Sequence, residues 1–227
     1  MISSEWSSLE GRSLFTVAAS TRAEGDVAEE TERSLAAALD AIAAAGFRPE
    51  HIVRSRLFTT DRESRQQASD VRRARLGGGL RGASSSFWDP ARLGADTRVR
   101  IELTAMAPQN AGQKEIVEYE PAIAPPKFVR LGGLVFLSGI TDVTPGLAAQ
   151  IPAIRASVDA SLAAARTSLG AARLLSVYLA REEDPRAALA MIAAHFPQAQ
   201  CPVTLTQVGG YSAPEKRIEI EITAVET

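Results

Sequence analysis

Lys216-Arg217-Ile218-Glu219-Ile220-Glu221-Ile222-Thr223-Ala224 lies close to the C-terminal end of a 227-residue chain. Its alternation is unbroken. Strand side chains alternate with a period of two, so Ile218, Ile220 and Ile222 share one face and Glu219 and Glu221 share the other. A carboxylate pair on one strand face is either solvated or the polar wall of a cleft. An altered copy occurs earlier, at Val99-Arg100-Ile101-Glu102-Leu103-Thr104-Ala105.

The copy extends outward from the strand. Leu103-Thr104-Ala105 matches Ile222-Thr223-Ala224 at an offset of 119, Leu14 and Thr21 match Leu134 and Thr141 at 120, and Ser55 matches Ser176 at 121. Small loop insertions produce such drift. The elements also recur in order. Leu14 to Ala19 and Gly133 to Gly139 read as strands. Val27 to Ala45 is an Ala-rich amphipathic helix, capped by Asp26 with Glu29 in the capping-box position and ended by Gly46. Ile151 to Leu169 is its counterpart, ended by Gly170. The strand Ile52 to Thr59 matches Leu174 to Leu179. A polar, Arg-rich stretch from Asp61 to Arg75 reads as an exposed helix, and Pro185 to Phe196 as another. Ser84 to Trp88 and Val203 to Val208 are the strands before the two closing strands. Pro108 to Pro126 is polar, contains prolines and lacks periodicity, which marks a boundary. The expectation is two tandem modules, residues 1–110 and 125–227, joined by a linker at 111–124. Each is an α+β unit with a mostly antiparallel sheet and two helices on one face.

Composition narrows the function classes. The chain is 45% hydrophobic and 23% charged, with a net charge of −2. No basic surface is implied, which argues against nucleic acid as a partner. The single cysteine, Cys201, allows no intramolecular disulfide and suits a reducing cytosol. His51 and His195 with Cys201 give no zinc-type spacing. No run approaches the ~20 apolar residues of a membrane span. Met1 to Ser13 has no charged-then-apolar leader pattern, so a cytoplasmic protein is expected. Gly77-Gly78-Gly79-Leu80-Arg81-Gly82 lacks the Gly-Lys-Ser/Thr of a phosphate-binding loop.

Three stretches of the second module carry a resemblance to the RidA/YjgF family of reactive-intermediate deaminases. They are Arg130 to Gly139, which ends in Ser-Gly, Ser176-Val177-Tyr178-Leu179, and Ile218 to Ala224. In the first module Ile52 to Phe58, Pro90-Ala91-Arg92-Leu93 and Val99 to Ala105 match in outline. The resemblance implies chorismate-mutase-like modules, assembly as trimers (here a trimer of two-module chains) and ligand clefts between modules. It also implies hydrolysis of imines or enamines such as 2-aminoacrylate, without a cofactor. The family grips the substrate carboxylate with an Arg, whose planar fork matches a carboxylate bidentately. Counting back 14 residues from the start of each closing strand places that Arg at Ser85 and Thr204, and neither is Arg.

These departures shape the expected site. Ser138 and Gly139 match the family's Ser-Gly turn, where the first module has Ala18 and Ala19. Glu219 matches a family glutamate proposed to position water, and the first module has Arg100 there. Glu221 is matched by Glu102. The candidate catalytic residues are therefore Glu219 and Ser138. Thr204, Gly139, Arg81, Arg100, Glu221 and Tyr211 are candidates for substrate binding, and no metal or cofactor is expected. The expected function is cofactor-independent hydrolysis or proton transfer on a small polar carboxylate or imine metabolite, in a cleft between modules. Without the family Arg, the standard 2-aminoacrylate activity is not expected. The alternative is a non-catalytic binding or assembly protein of the same fold, which a cleft filled by Trp88 or Tyr211 would favour.

Overall fold

The computed structural model describes residues 1–107, 112–123 and 125–226. The first module runs β1 (Ile2–Leu9), β2 (Arg12–Ala19), α1 (Val27–Ala44), β3 (Ile52–Thr59), α2 (Arg62–Arg75), β4 (Ala83–Trp88) and β5 (Val99–Met106). The second runs β6 (Glu115–Val117), β7 (Phe128–Leu131), β8 (Leu134–Leu137), β9 (Ile140–Thr141), α3 (Leu147–Ala164), β10 (Ala172–Ala180), α4 (Pro185–His195), β11 (Val203–Val208) and β12 (Ile218–Val225). The first sheet has the order β1-β2-β5-β3-β4; the second has β11-β10-β12-β8-β7-β6, with β9 also on β12. In each, one pair is parallel, β3 with β4 and β10 with β11, and the other pairs are antiparallel. The expected α+β repeat is what the chain forms.

The helices cover one face of each sheet. Asp26 accepts from Glu29 N at 2.8 Å and Glu29 reaches back to Asp26 N, which satisfies donors at the start of α1. Leu35, Ala38 and Ile42 of α1 then pack with Phe15, Val17, Ile101 and Leu103. In the second module Ile218, Ile220 and Ile222 pack against Ile151, Ile154, Val158 and Leu162 of α3. All three isoleucines of β12 are fully buried, each contributing about 1.5–3 kcal/mol. That packing fixes the strand's register, and it sends Glu219 and Glu221 to the face turned toward the first module.

Three elements differ from the sequence expectation. The hairpin strand β1 was not anticipated, because Ile2–Leu9 is mostly polar and exposed. A two-residue turn at Glu10 and Gly11, both with positive φ, closes it onto β2. Helix α3 starts at Leu147, not Ile151, and carries Pro152 inside it. Gln150 holds the extra turn, donating to Thr144 O and Glu215 O and accepting from Arg217 N. Strand β6 falls within the expected linker and pairs with β7.

The modules meet along a hydrogen-bonded seam. Gly139 N donates to Ser84 O at 3.2 Å, and Ser84 N donates to Ser138 Oγ at 3.0 Å. Further along β4, Trp88 and Gly210 exchange two backbone hydrogen bonds at 3.0 Å. Two mixed clusters fill the space beside the seam. Leu14, Val53 and Met106 pack with Val129, Leu134 and Phe136, and Phe58 and Phe87 pack with Tyr178, Val208 and Tyr211.

Candidate active site

Both carboxylates of β12 are buried, Glu219 at 6% and Glu221 at 1% exposure, which excludes a solvated face. They are held in opposite ways. Arg54 and Arg56 lie on one face of β3 and cross the module boundary to Glu221. Arg56 donates Nη2 at 2.7 Å and Nε at 3.1 Å to Oε2, with Nε also 3.2 Å from Oε1, and Arg54 Nη1 is 2.9 Å from Oε2. Ser85 of β4 donates its hydroxyl to Glu221 Oε1 at 2.6 Å. Burial works against ionisation, but the two guanidiniums and the Ser85 bond overcome it and hold Glu221 down at about 2. Arg54 spends its remaining donors on Leu137 O at 3.1 Å and on Thr223 Oγ1 and Ile222 O at 3.4 Å.

Glu219 has no such clamp. Its Oε1 is buried with no hydrogen-bond partner among the described residues. Burial pushes its carboxyl up to about 7, aided by the charge of Glu221 and opposed by Ser85, Lys216 and Arg65. A buried carboxyl near neutrality has the property that general acid–base work requires. Gly139 makes room for it. A Cβ at that position would sit 1.8 Å from Glu219 Oε1 and 2.5 Å from Ser85 Oγ.

Glu219 opens into a cleft of about 450 Å³ between the modules. The first module supplies the α2 face with Arg65, Ser69 and Arg72, together with Ser84, Ser85 and Arg81. The second supplies Gly139, Thr141, Tyr211 and Lys216. Expected from its polarity to be exposed, α2 instead turns this face inward. Asp61 caps it, accepting from Ser64 N at 2.8 Å. Arg72 is only 8% exposed because its donors are satisfied, by Ser85 O at 2.8 Å and Ser86 Oγ at 2.7 Å. Burial lowers its guanidinium to about 10, still charged near neutrality.

The expected site residues divide. Glu219, Gly139, Arg81 and Tyr211 line the cleft, and Glu221 lies directly behind Ser85. Arg81 pairs with Glu118. Tyr211 is 1% exposed and donates its hydroxyl to Tyr178 O at 2.7 Å, so its ring serves as wall and not as a lid. Trp88 packs against Gly209 and Gly210 and leaves the cleft open. Ser138 lies elsewhere. It is fully buried, does not line the cleft, and its hydroxyl accepts from Ser84 N in the seam. Thr204 is exposed on edge strand β11 away from the cleft, whereas β4 contributes Ser84, Ser85 and Ser86 to it. Arg100 pairs with Glu102 on its own strand at 3.1 Å and is also off the cleft. Sequence reasoning missed Arg54, Arg56, Arg65, Arg72 and Lys216. Two arginines flanking Ser55 in a strand of mostly apolar residues, and two arginines seven residues apart on one helix, were the available signals.

No family model matches the chain, and no curated protein matches it in sequence. Solved structures do match in fold. A chorismatase superposes over 97% of this chain and 79% of its own, at 14% identity and a TM-score of 0.66. Single-module proteins cover about half of it. A YjgF/YER057c/UK114 family member from Mycobacterium tuberculosis covers 50% of this chain and 99% of its own at 23% identity and a TM-score of 0.45. Yeast Mmf1 covers 51% and 100%, at 18% identity and 0.46. The chain therefore has a tandem α+β fold of the kind seen in the chorismatase structure.

Proposed function

We propose that this chain is a cofactor-independent enzyme that acts on a small carboxylate-bearing metabolite, by hydrolysis or proton transfer, in the cleft between its modules. One observation carries the reading: the carboxyl of Glu219, unpaired at Oε1 and poised near 7, faces an open cavity lined with arginines. Glu219 delivers or removes the proton, or orients a water for attack. Glu221 tunes it, since Glu221 stays ionised beside it and disfavours a second negative charge. The non-catalytic alternative anticipated a filled cleft. An open one holding a carboxyl with cations beside it favours the enzyme.

The reaction class is tested by following small enamines, imines and enol ethers of carboxylic acids, chorismate among them, with the wild type and Glu219→Gln. Turnover that survives Glu219→Gln unchanged removes Glu219 from the chemistry. We also propose a trimer of chains, which light scattering tests directly. Among the described residues no helix is long and apolar enough to cross a membrane. The proposed compartment is the cytoplasm, which fractionation tests.

A further inference from the structure

Among the described residues, five cationic side chains line the cleft, and they are not equivalent. Arg73 is paired with Asp70, and Arg81 with Glu118. Arg72 is consumed by the backbone and hydroxyls of β4. Arg65 and Lys216 remain. Arg65 uses its Nε on Ser86 O at 3.1 Å, and among the described residues no carboxylate pairs with its two terminal nitrogens. Lys216 Nζ bonds to Ser212 Oγ at 3.0 Å. Neither has a carboxylate within salt-bridge distance among the described residues, and both are half-buried. They come from different modules, line the same cavity as Glu219, and each feels its charge. Partly desolvated cations without a counter-ion are costly, and an incoming anion relieves that cost.

From this geometry we infer that Arg65 and Lys216 form a two-armed clamp that holds the substrate's anionic group beside Glu219. The inference rests on the reading of the cleft as the reaction site and replaces, with residues of α2 and of the segment before β12, the grip that Ser85 does not provide. A guanidinium and an ammonium converging from two sides suit a planar carboxylate. The clamp also ties binding to the proton. The charged groups felt by the Glu219 side chain are Arg54 from β3, Arg65 and Arg72 from α2, Lys216 before its own strand and Glu221 on it. Neutralising Arg65 and Lys216 with an anion removes two influences that favour the ionised carboxyl. Binding near pH 7 then draws a proton onto Glu219, and affinity strengthens as pH falls from 8 to 6.

The probe is pyruvate, with uncharged pyruvamide as control, followed by calorimetry in buffers of different ionisation enthalpy. Wild-type protein binds pyruvate in preference to pyruvamide and takes up a fraction of a proton at pH 7. Arg65→Gln and Lys216→Met each weaken binding by about tenfold or more. Glu219→Gln keeps pyruvate binding and abolishes the proton uptake. Thermal melts guard against misfolding, because removing an unpaired cation should not lower Tm, while pyruvate should raise the wild-type Tm and not that of the variants. Equal affinity for pyruvate and pyruvamide, or unchanged pyruvate affinity in both cation variants, overturns the clamp. Pyruvate binding lost in the cation variants, with turnover intact in Glu219→Gln, keeps the clamp and rejects Glu219 as the reacting group.

Discussion

Ser85 of the first module donates its hydroxyl to Glu221 of the second at 2.6 Å, across a boundary that both residues help to build. The position that the family resemblance assigns to an anion-gripping Arg thus holds a small hydroxyl directed at a carboxylate. The residues around it adapt. Arg54 and Arg56 turn Glu221 into a fixed negative charge, and Glu219 two residues earlier has an oxygen left unpaired among the described residues. One strand presents a permanent anion and a titrating acid side by side.

Glu219→Gln should reduce turnover of the true substrate by ~10²–10⁴-fold, the usual contribution of a positioned acid or base. KM should change less than kcat. Steady-state kinetics over pH 5–9 check this, and the limb set by a group near 7 should vanish from the variant's profile.

Glu221→Gln should be far more damaging to stability. It leaves Arg54, only 5% exposed, without its counter-charge. Removing one partner of a buried pair costs about 3–5 kcal/mol. Urea denaturation at pH 7 should show that loss, and Glu219→Gln should show no comparable one.

The same pair gives opposite pH effects on stability. Glu219 has its folded value raised from 4.5 to about 7, so its contribution is complete below 4.5 and is lost as pH rises through 7. Glu221 has its value lowered to about 2, so its contribution is present above 4.5 and is lost as pH falls through 2. Each amounts to ~3 kcal/mol over its window. Denaturation curves at several pH values should show wild type losing stability between pH 4.5 and 7 relative to Glu219→Gln, and parallel curves would contradict the assignment.

Gly139→Ala should abolish the site's geometry. The added Cβ would meet the Glu219 carboxylate at 1.8 Å, so either the carboxyl or the seam at Ser84 must move. Activity should fall by at least tenfold, the scale of misplacing a reacting group by about 1 Å. A crystal structure of the variant should show Glu219 displaced.

Hydrolysis of 2-aminoacrylate should be slow, since Ser85 stands where the resemblance places the Arg that holds that substrate. Coupling the protein to a 2-aminoacrylate-generating enzyme and measuring pyruvate release gives the rate. Rapid hydrolysis would mean that another cation in the cleft fully replaces the missing one.

The modular repeat could be read from residues because β12 and its copy β5 follow a strict alternation dictated by burial on one side. The same alternation could not reveal the burial of Glu219 and Glu221. A cleft wall and a wet face have identical patterns, and the difference lies in Arg54 and Arg56, some 165 residues away in sequence. Counting back from the closing strands placed Ser85 at the cleft. The equivalent count leads to Thr204, which is exposed on β11, whereas β4 sets Ser85 against Glu221 of the other module. Ser138 was legible as a position but not as a role, since nothing local distinguishes a hydroxyl that contacts substrate from one that accepts a backbone N–H in a seam.

The seam between β4 and Ser138-Gly139 joins two halves that belong to one polypeptide. Closure of the cleft is therefore a unimolecular event, governed by the effective concentration that the intervening chain imposes and not by the amount of protein in solution. A cavity shared between separate subunits would open on dilution. This one should keep the same activity per chain from micromolar to picomolar protein.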